Sequence, residues 1–255
     1  MSQKKGKPRN TTSATSVLPR SKIGVAEVDI RGKLIVLEGT DGSGKGTQLK
    51  LLMERLEKEG IKATSLAFPQ YGKKSSGPIE EYLNGKYGTP DEVSPYAASL
   101  FYAIDRFDVS KEIKVRLGEK YLVVLDRYVD SNAGHQGGKI KDPKEREKFT
   151  EWLYDIEYRI LGIPKPDLVI ILRVPAEIGQ KLVAQKQQRP YLDGGKKSDA
   201  HEADLSHLKA SEESYLWLAR KFPKDHFIIE CMEGGELLTP ETVHQKIWEK
   251  IRPLI

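Results

Sequence analysis

Cysteine is nearly missing from this 255-residue chain: Cys231 stands alone, so no disulfide can close within it. A lone thiol suits a reducing compartment, and a cytoplasmic protein is the expectation. Long apolar runs are missing too. No stretch approaches the ~18 residues a membrane span needs, so no membrane partner is expected. Residues 1 to 24 hold no acid and few apolar side chains. A secretory signal needs an apolar run and a transit peptide an amphipathic one; this stretch has neither. It cannot bury enough surface to offset its ordering entropy and reads as a basic disordered tail.

That tail also accounts for the charge. The formal net charge is +5, and Lys4, Lys5, Lys7, Arg9, Arg20 and Lys22 supply +6 of it, so the rest carries −1. A near-neutral body gives no reason to expect a specific nucleic-acid partner. Residues 25 to 255 have ordinary globular composition and the length for one sizeable core, so they are read as a single domain.

The most informative stretch is Leu34 to Thr47. Leu34 to Leu37 is a short apolar run of the kind that forms a buried strand. Gly39, Thr40, Asp41, Gly42, Ser43, Gly44, Lys45, Gly46 and Thr47 follow, and from Gln48 apolar residues recur at helical spacing (Leu49, Leu52, Met53, Leu56). Strand, glycine loop and helix together are the context of a phosphate-binding loop. Glycines at 39, 42, 44 and 46 permit positive φ and close approach of backbone to ligand. The turned N–H groups then form an anion nest at the positive end of a helix. Lys45 adds a mobile charge for the outer phosphates of a nucleoside triphosphate, and Thr47 a hydroxyl for Mg²⁺. In the generic loop a hydroxyl residue directly follows the lysine; here Gly46 intervenes.

Further strands are predicted over 63–68, 122–125, 168–172 and 227–229. Helices are predicted from Ser94-Pro95 to about 116, from Asp142-Pro143 to 162, over 176–187, around Leu205 to Leu216, and from Thr239-Pro240 onward. Caps and N1 prolines mark three of these starts. Strands alternating with helices predict an α/β fold, a doubly wound five-stranded parallel sheet. Ligands gather at the carboxyl ends of such strands. Phe68, Asp126 and Arg127 stand there with the glycine loop.

Four segments in order, Gly-Thr-Asp-Gly-Ser-Gly-Lys-Gly-Thr, Phe-Pro-Gln-Tyr-Gly (68–72), Leu-Phe-Tyr-Ala-Ile-Asp-Arg (100–106) and Asp-Arg-Tyr-Val-Asp-Ser-Asn-Ala-Gly-His-Gln (126–136), resemble the thymidylate kinases over about residues 33 to 250. The resemblance implies a P-loop fold with a lid over about 186–200, and transfer of the γ-phosphoryl group of MgATP to dTMP, giving dTDP and ADP. It implies that Asp126 helps hold Mg²⁺ with Thr47 opposite, and that Arg127 clamps the acceptor phosphate. Asp41 then receives the sugar 3′-OH, Phe68 walls the base pocket, and Tyr102 or its neighbour Phe101 stacks on the thymine, with Arg106 donating to O4. Asn132 and Gln136 are candidates for the pyrimidine edge, Ser131 binds substrate beside them, and His135 stands near the sugar C2′. Relatives carry an arginine in the Phe-Pro segment; here Gln70 and Tyr71 stand instead, leaving Tyr71, Lys73 and Lys74 as replacements. No arginine follows Asp41, so by family pattern the lid supplies the catalytic cation, and Arg189 is the choice. Homodimers are the family norm.

Two other readings stay open: a deoxynucleoside monophosphate kinase of broader specificity, and a non-catalytic P-loop nucleotide-binding regulator. The chain lacks the Asn-Lys-x-Asp sequence that a guanine-specific switch uses.

Overall fold

Leu34, Ile35, Val36 and Leu37 are continuously apolar because they form the middle of a sheet covered on both faces. As β1 (Leu34–Glu38) they are at most 1% exposed. Burial of each such side chain contributes about 1.5–3 kcal/mol. The computed structural model describes residues 31–89, 91–185 and 204–255. The tail expected over 1–24 and the lid expected over about 186–200, with Arg189, lie outside the described residues.

From β1 the chain runs through α1 (Lys45–Lys58), β2 (Ala63–Ala67), α2 (Gly77–Leu83), α3 (Pro95–Asp108), α4 (Ser110–Gly118) and β3 (Leu122–Asp126). It continues through α5 (Val129–Gly138), α6 (Pro143–Tyr154), β4 (Leu168–Arg173), α7 (Ala176–Ala184), α8 (Leu205–Lys221), β5 (His226–Glu230), a small hairpin of β6 (Met232–Glu233) and β7 (Glu236–Leu237), and α9 (Pro240–Ile251). The main sheet has the order β2-β3-β1-β4-β5, every pairing parallel. This is the doubly wound five-stranded sheet the sequence predicts.

Strand alternation divides the core in two. Leu34, Val36, Val123, Leu125, Val169 and Ile171 pack with Ile113 of α4, Val129 of α5, Phe149 of α6 and Leu218 of α8. Ile35, Leu37, Val124, Ile170 and Leu172 pack with Leu52 and Leu56 of α1 and Ile247 and Trp248 of α9. β1 and β3 are neighbours, yet the chain leaves β1 toward β2 and leaves β3 toward β4. A crevice opens between strand ends where neighbouring connections diverge.

Several predicted spans differ; α8, for one, runs on to Lys221. The helix expected to run unbroken to 116 is two helices, because Val109 leaves helical geometry (φ −100°, ψ 3°) with its side chain buried in the core. The helix expected to reach 187 ends as α7 at Ala184. The helix expected to reach 162 is α6 followed by a π-helical turn, Asp155–Ile160. The predicted starts hold: Ser94, Asp142 and Thr239 each accept a backbone N–H from the first turn that follows.

Candidate functional site

The loop after β1 takes its shape from three glycines. Gly39, Gly42 and Gly44 have φ of 136°, 82° and 90°, where L side chains are strained. Neighbours also crowd two of them: a side-chain carbon on Gly42 would lie 2.2 Å from the Gly179 carbonyl oxygen, and one on Gly39 2.5 Å from that of Leu172. Gly46, expected to need the same freedom, instead lies inside α1, without a positive φ. A carbon there would stand 3.9 Å from Asp126 Oδ2, so Asp126 faces the first turn of α1.

Helix α1 begins with no side-chain cap and no acid in its first turn. Its leading N–H groups therefore keep their positive field for an anion. Lys45 folds back across the loop, donating to the carbonyls of Gly39 and Thr40, both at 2.9 Å. Burial, and then the nearby Arg127 guanidinium, pull its ammonium down to about 8, against the opposing pull of Asp41 and Asp126. Thr47 is exposed in the same turn. Asp126 Oδ1 is buried and meets no hydrogen-bond partner among the described residues. An acceptor oxygen of this kind beside a hydroxyl and a phosphate loop fits Mg²⁺, which binds through one or two protein oxygens plus substrate phosphates. No group of three or more His, Cys, Asp or Glu side chains that could hold a metal ion occurs among the described residues.

Beside this loop opens a pocket, and all ten residues expected on the acceptor side line it: Asp41, Phe68, Tyr71, Tyr102, Arg106, Arg127, Ser131, Asn132, His135 and Gln136. Pro69 and Leu83 complete the wall; Leu83, on α2, escaped the sequence reading because that helix carries no motif. Tyr102 rather than Phe101 reaches the pocket, since Phe101 packs on Tyr82 and Tyr87. Of the three replacements for the missing arginine, Tyr71 lines the pocket. Lys73 is held by Gln70, donating to its Oε1 at 2.7 Å, and Gln70 in turn donates its backbone N–H to Asp105 of α3 at 2.8 Å.

Arg106 is 1% exposed and held on three sides. Its Nε and Nη2 donate to the two oxygens of Glu157 at 2.6 and 2.5 Å, and Nη1 donates to the Tyr128 carbonyl at 3.1 Å. Burial opposes the guanidinium charge, but Glu157 outweighs it and raises Arg106; burial likewise raises the Glu157 carboxyl, against the pull of Arg106. Three of five donors are thereby used, and two remain for a ligand. Asn132 donates one amide N–H to the Ser99 carbonyl at 3.1 Å, which fixes its orientation and leaves its Oδ1 as an acceptor beside a second N–H. Gln136 Oε1 is buried without a partner among the described residues. A donor arginine and two amide acceptors match the edge of a pyrimidine that presents O4 and N3–H.

Arg127 links pocket and loop. It has φ 69°, and its guanidinium donates to Asp41 Oδ1 at 2.7 Å and lies 3.0 Å from His135 Nε2. Burial works against its charge; Asp41 leads the groups that hold it well above its ordinary range. His135 stacks on His207 of α8, whose ring burial brings down to about 4 and keeps neutral. Sequence reasoning also missed Glu38 and Glu157, two buried carboxylates behind this site.

A phosphate loop at the end of β1, facing a base pocket across an arginine at the end of β3, defines a P-loop kinase of nucleoside monophosphates. Comparisons with known proteins narrow the class. The family profile described as thymidylate kinase matches residues 37–247. A thymidylate kinase of Mycobacterium tuberculosis is 33% identical over 187 residues, covering 73% of this chain and 85% of that one. One from Bradyrhizobium is 30% identical over 226 residues, covering 87% and 90%. Among solved structures, the thymidylate kinase of Candida albicans superposes with a TM-score of 0.65 at 25% identity, covering 88% of this chain and 92% of that one. The chain belongs to the thymidylate kinase family. It is an ATP-dependent phosphotransferase that acts on dTMP.

Proposed function

We propose that the pocket seats dTMP and the glycine loop the phosphates of ATP, so that an acceptor phosphate oxygen meets the γ-phosphorus in line. The convergence of all ten acceptor-side residues on one pocket beside the loop carries this reading. Such a transfer needs no nucleophilic side chain; it needs positioning, fixed positive charge and exclusion of water. Lys45 exchanges its carbonyl partners for the outer phosphates. Arg127 turns its fork from Asp41 to the acceptor phosphate, which frees Asp41 to receive the sugar 3′-OH. Arg106 donates to O4, while Asn132 and Gln136 accept from N3–H. Tyr102 stacks on the ring, Phe68 closes the far wall, and Ser131 and His135 border the sugar and phosphate.

Thymidylate kinases use ATP with Mg²⁺, and Asp126 and Thr47 are the side chains that would hold the ion, which neutralises charge on the β- and γ-phosphates. Arg189, within a lid over about 186–200, is the proposed cation that completes the site on closure. Residues 25–255 act as one catalytic domain behind a basic tail. A homodimer is supported by Tyr96, Leu100, Ile104 and Phe107, exposed apolar side chains that recur on one face of α3. A cytoplasmic setting is supported by Cys231, a buried free thiol.

Lys45→Ala separates the two seats. Turnover should fall by at least ~10³-fold, as for loss of a cation on the transferring phosphoryl, while calorimetric dTMP affinity moves little. Undiminished turnover would remove the loop from the mechanism.

A further inference from the structure

Glu38 ends the central strand, is 0% exposed, and has no part in the chemistry above. Three donors from two other elements converge on it. The backbone N–H of Tyr128 reaches its Oε1 at 2.8 Å, and the hydroxyls of Ser131 and Tyr215 reach its Oε2 at 2.7 and 2.9 Å. All three donors are neutral groups, so the Glu38 oxygens serve here as acceptors; burial raises the carboxyl, and the Ser131 and Tyr128 hydrogen bonds oppose that. Two of them, Tyr128 and Ser131, follow Arg127 within four residues.

Arg127 itself sits at φ 69°, a conformation that non-glycine residues adopt only where the surroundings hold them. Its own N–H donates to the Leu37 carbonyl at 2.9 Å, and the next N–H along the chain is the one Glu38 accepts. The Ser131 hydroxyl gives its proton to Glu38, which leaves its lone pairs toward Arg127 Nη1, 3.4 Å away. On the third side, the Tyr215 ring lies against α5 so closely that a side-chain carbon on Gly134 would be 2.5 Å from it. The end of β1, the turn that aims Arg127, and α8 therefore meet on one carboxylate.

We infer that Glu38 is a positioning residue for the acceptor phosphate: it holds the turn after β3 in the conformation that directs Arg127 into the pocket. This rests on the reading of Arg127 as the phosphate clamp. Glu38→Gln is nearly isosteric and keeps an oxygen for the Tyr128 N–H. Its amide group, however, obliges the Ser131 hydroxyl to accept, and the hydroxyl proton then turns toward the guanidinium, donor against donor.

The test compares dTMP with thymidine, which shares the base and sugar but lacks the phosphate. Calorimetry on the full chain should show Glu38→Gln binding dTMP about tenfold or more weakly, as expected when a clamp is misplaced. Thymidine affinity and KM for ATP should stay within about twofold, since neither depends on the turn that Glu38 holds. Arg127→Ala, measured alongside, should erase the preference for dTMP over thymidine; if it does not, the reading of Arg127 itself is wrong. If Arg127→Ala erases the preference and Glu38→Gln leaves it intact, or weakens both ligands equally, Glu38 is structural only and the inference falls. Tyr215→Phe removes one of the three donors and covers the case in which Glu38→Gln fails to fold. It should reduce the same preference by a smaller factor, and an unchanged preference would likewise overturn the inference.

Discussion

Lys45 holds its charge against its surroundings. Its ammonium lies among loop carbonyls and near Arg127, and titrates at about 8 instead of its ordinary 10.5. The depressed value has a definite sign: between about pH 8 and 10.5 the unfolded chain binds the proton and the folded chain has lost it. The contribution of this group to stability therefore rises with pH across that window and is lost as pH falls through it. Bound triphosphate would reverse the balance by favouring the charged form. ATP binding near pH 8.5 should accordingly take up a fraction of a proton, read from calorimetry in buffers of different ionisation enthalpy. Buffer-independent heats would mean that the lysine does not meet the phosphates. Asp41 and Arg127 form the complementary residue-scale device, paired at 2.7 Å and each with a second assignment once nucleotides bind.

At the scale of elements, the acceptor pocket is held by an ion pair that joins α3 to the π-helical turn after α6. Arg106 and Glu157 are both at most 1% exposed. Removal of one partner from a buried pair leaves an uncompensated charge, so Glu157→Ala should cost about 3 kcal/mol in urea unfolding and weaken dTMP binding as Arg106 loses its anchor. A cost below about 1 kcal/mol, the level of a surface pair, would show that the pair is not what fixes Arg106.

The same elements show what a one-dimensional reading can reach. The glycine loop, Phe68, Tyr102, Arg106 and the Asp126 to Gln136 segment were readable because each belongs to a short run with its own signature, placed after a strand or on one helix face. Glu157 and Glu38 were not. A carboxylate in a polar helix, or at the end of an apolar strand, looks like any other until the fold brings an arginine or two hydroxyls to it. Likewise Val109 gives no breaker signal in sequence; α3 and α4 part there because the side chain is needed in the core, a tertiary demand that overrides local propensity.

For the whole molecule, two surfaces of the sheet are filled by helices, and one helix keeps an apolar face outward. Tyr96, Leu100, Ile104 and Phe107 are 39–53% exposed along α3, the helix whose other side carries Tyr102 and Arg106 into the pocket. A partner seated there would brace the acceptor site from behind. Ile104→Glu should convert a dimer of the 28.8 kDa chain into monomers by sedimentation at micromolar concentration. A wild-type protein already sedimenting as a monomer would contradict the assembly.

The measurement that tests the central claim most directly is initial velocity with ATP and Mg²⁺ across dTMP, dUMP, dCMP and dGMP. The pocket described above predicts dTDP as the favoured product, with dUMP behind by about tenfold or more for want of one buried methyl group, and the purine monophosphate excluded. Failure to form a diphosphate from dTMP while another monophosphate is consumed rapidly would contradict it.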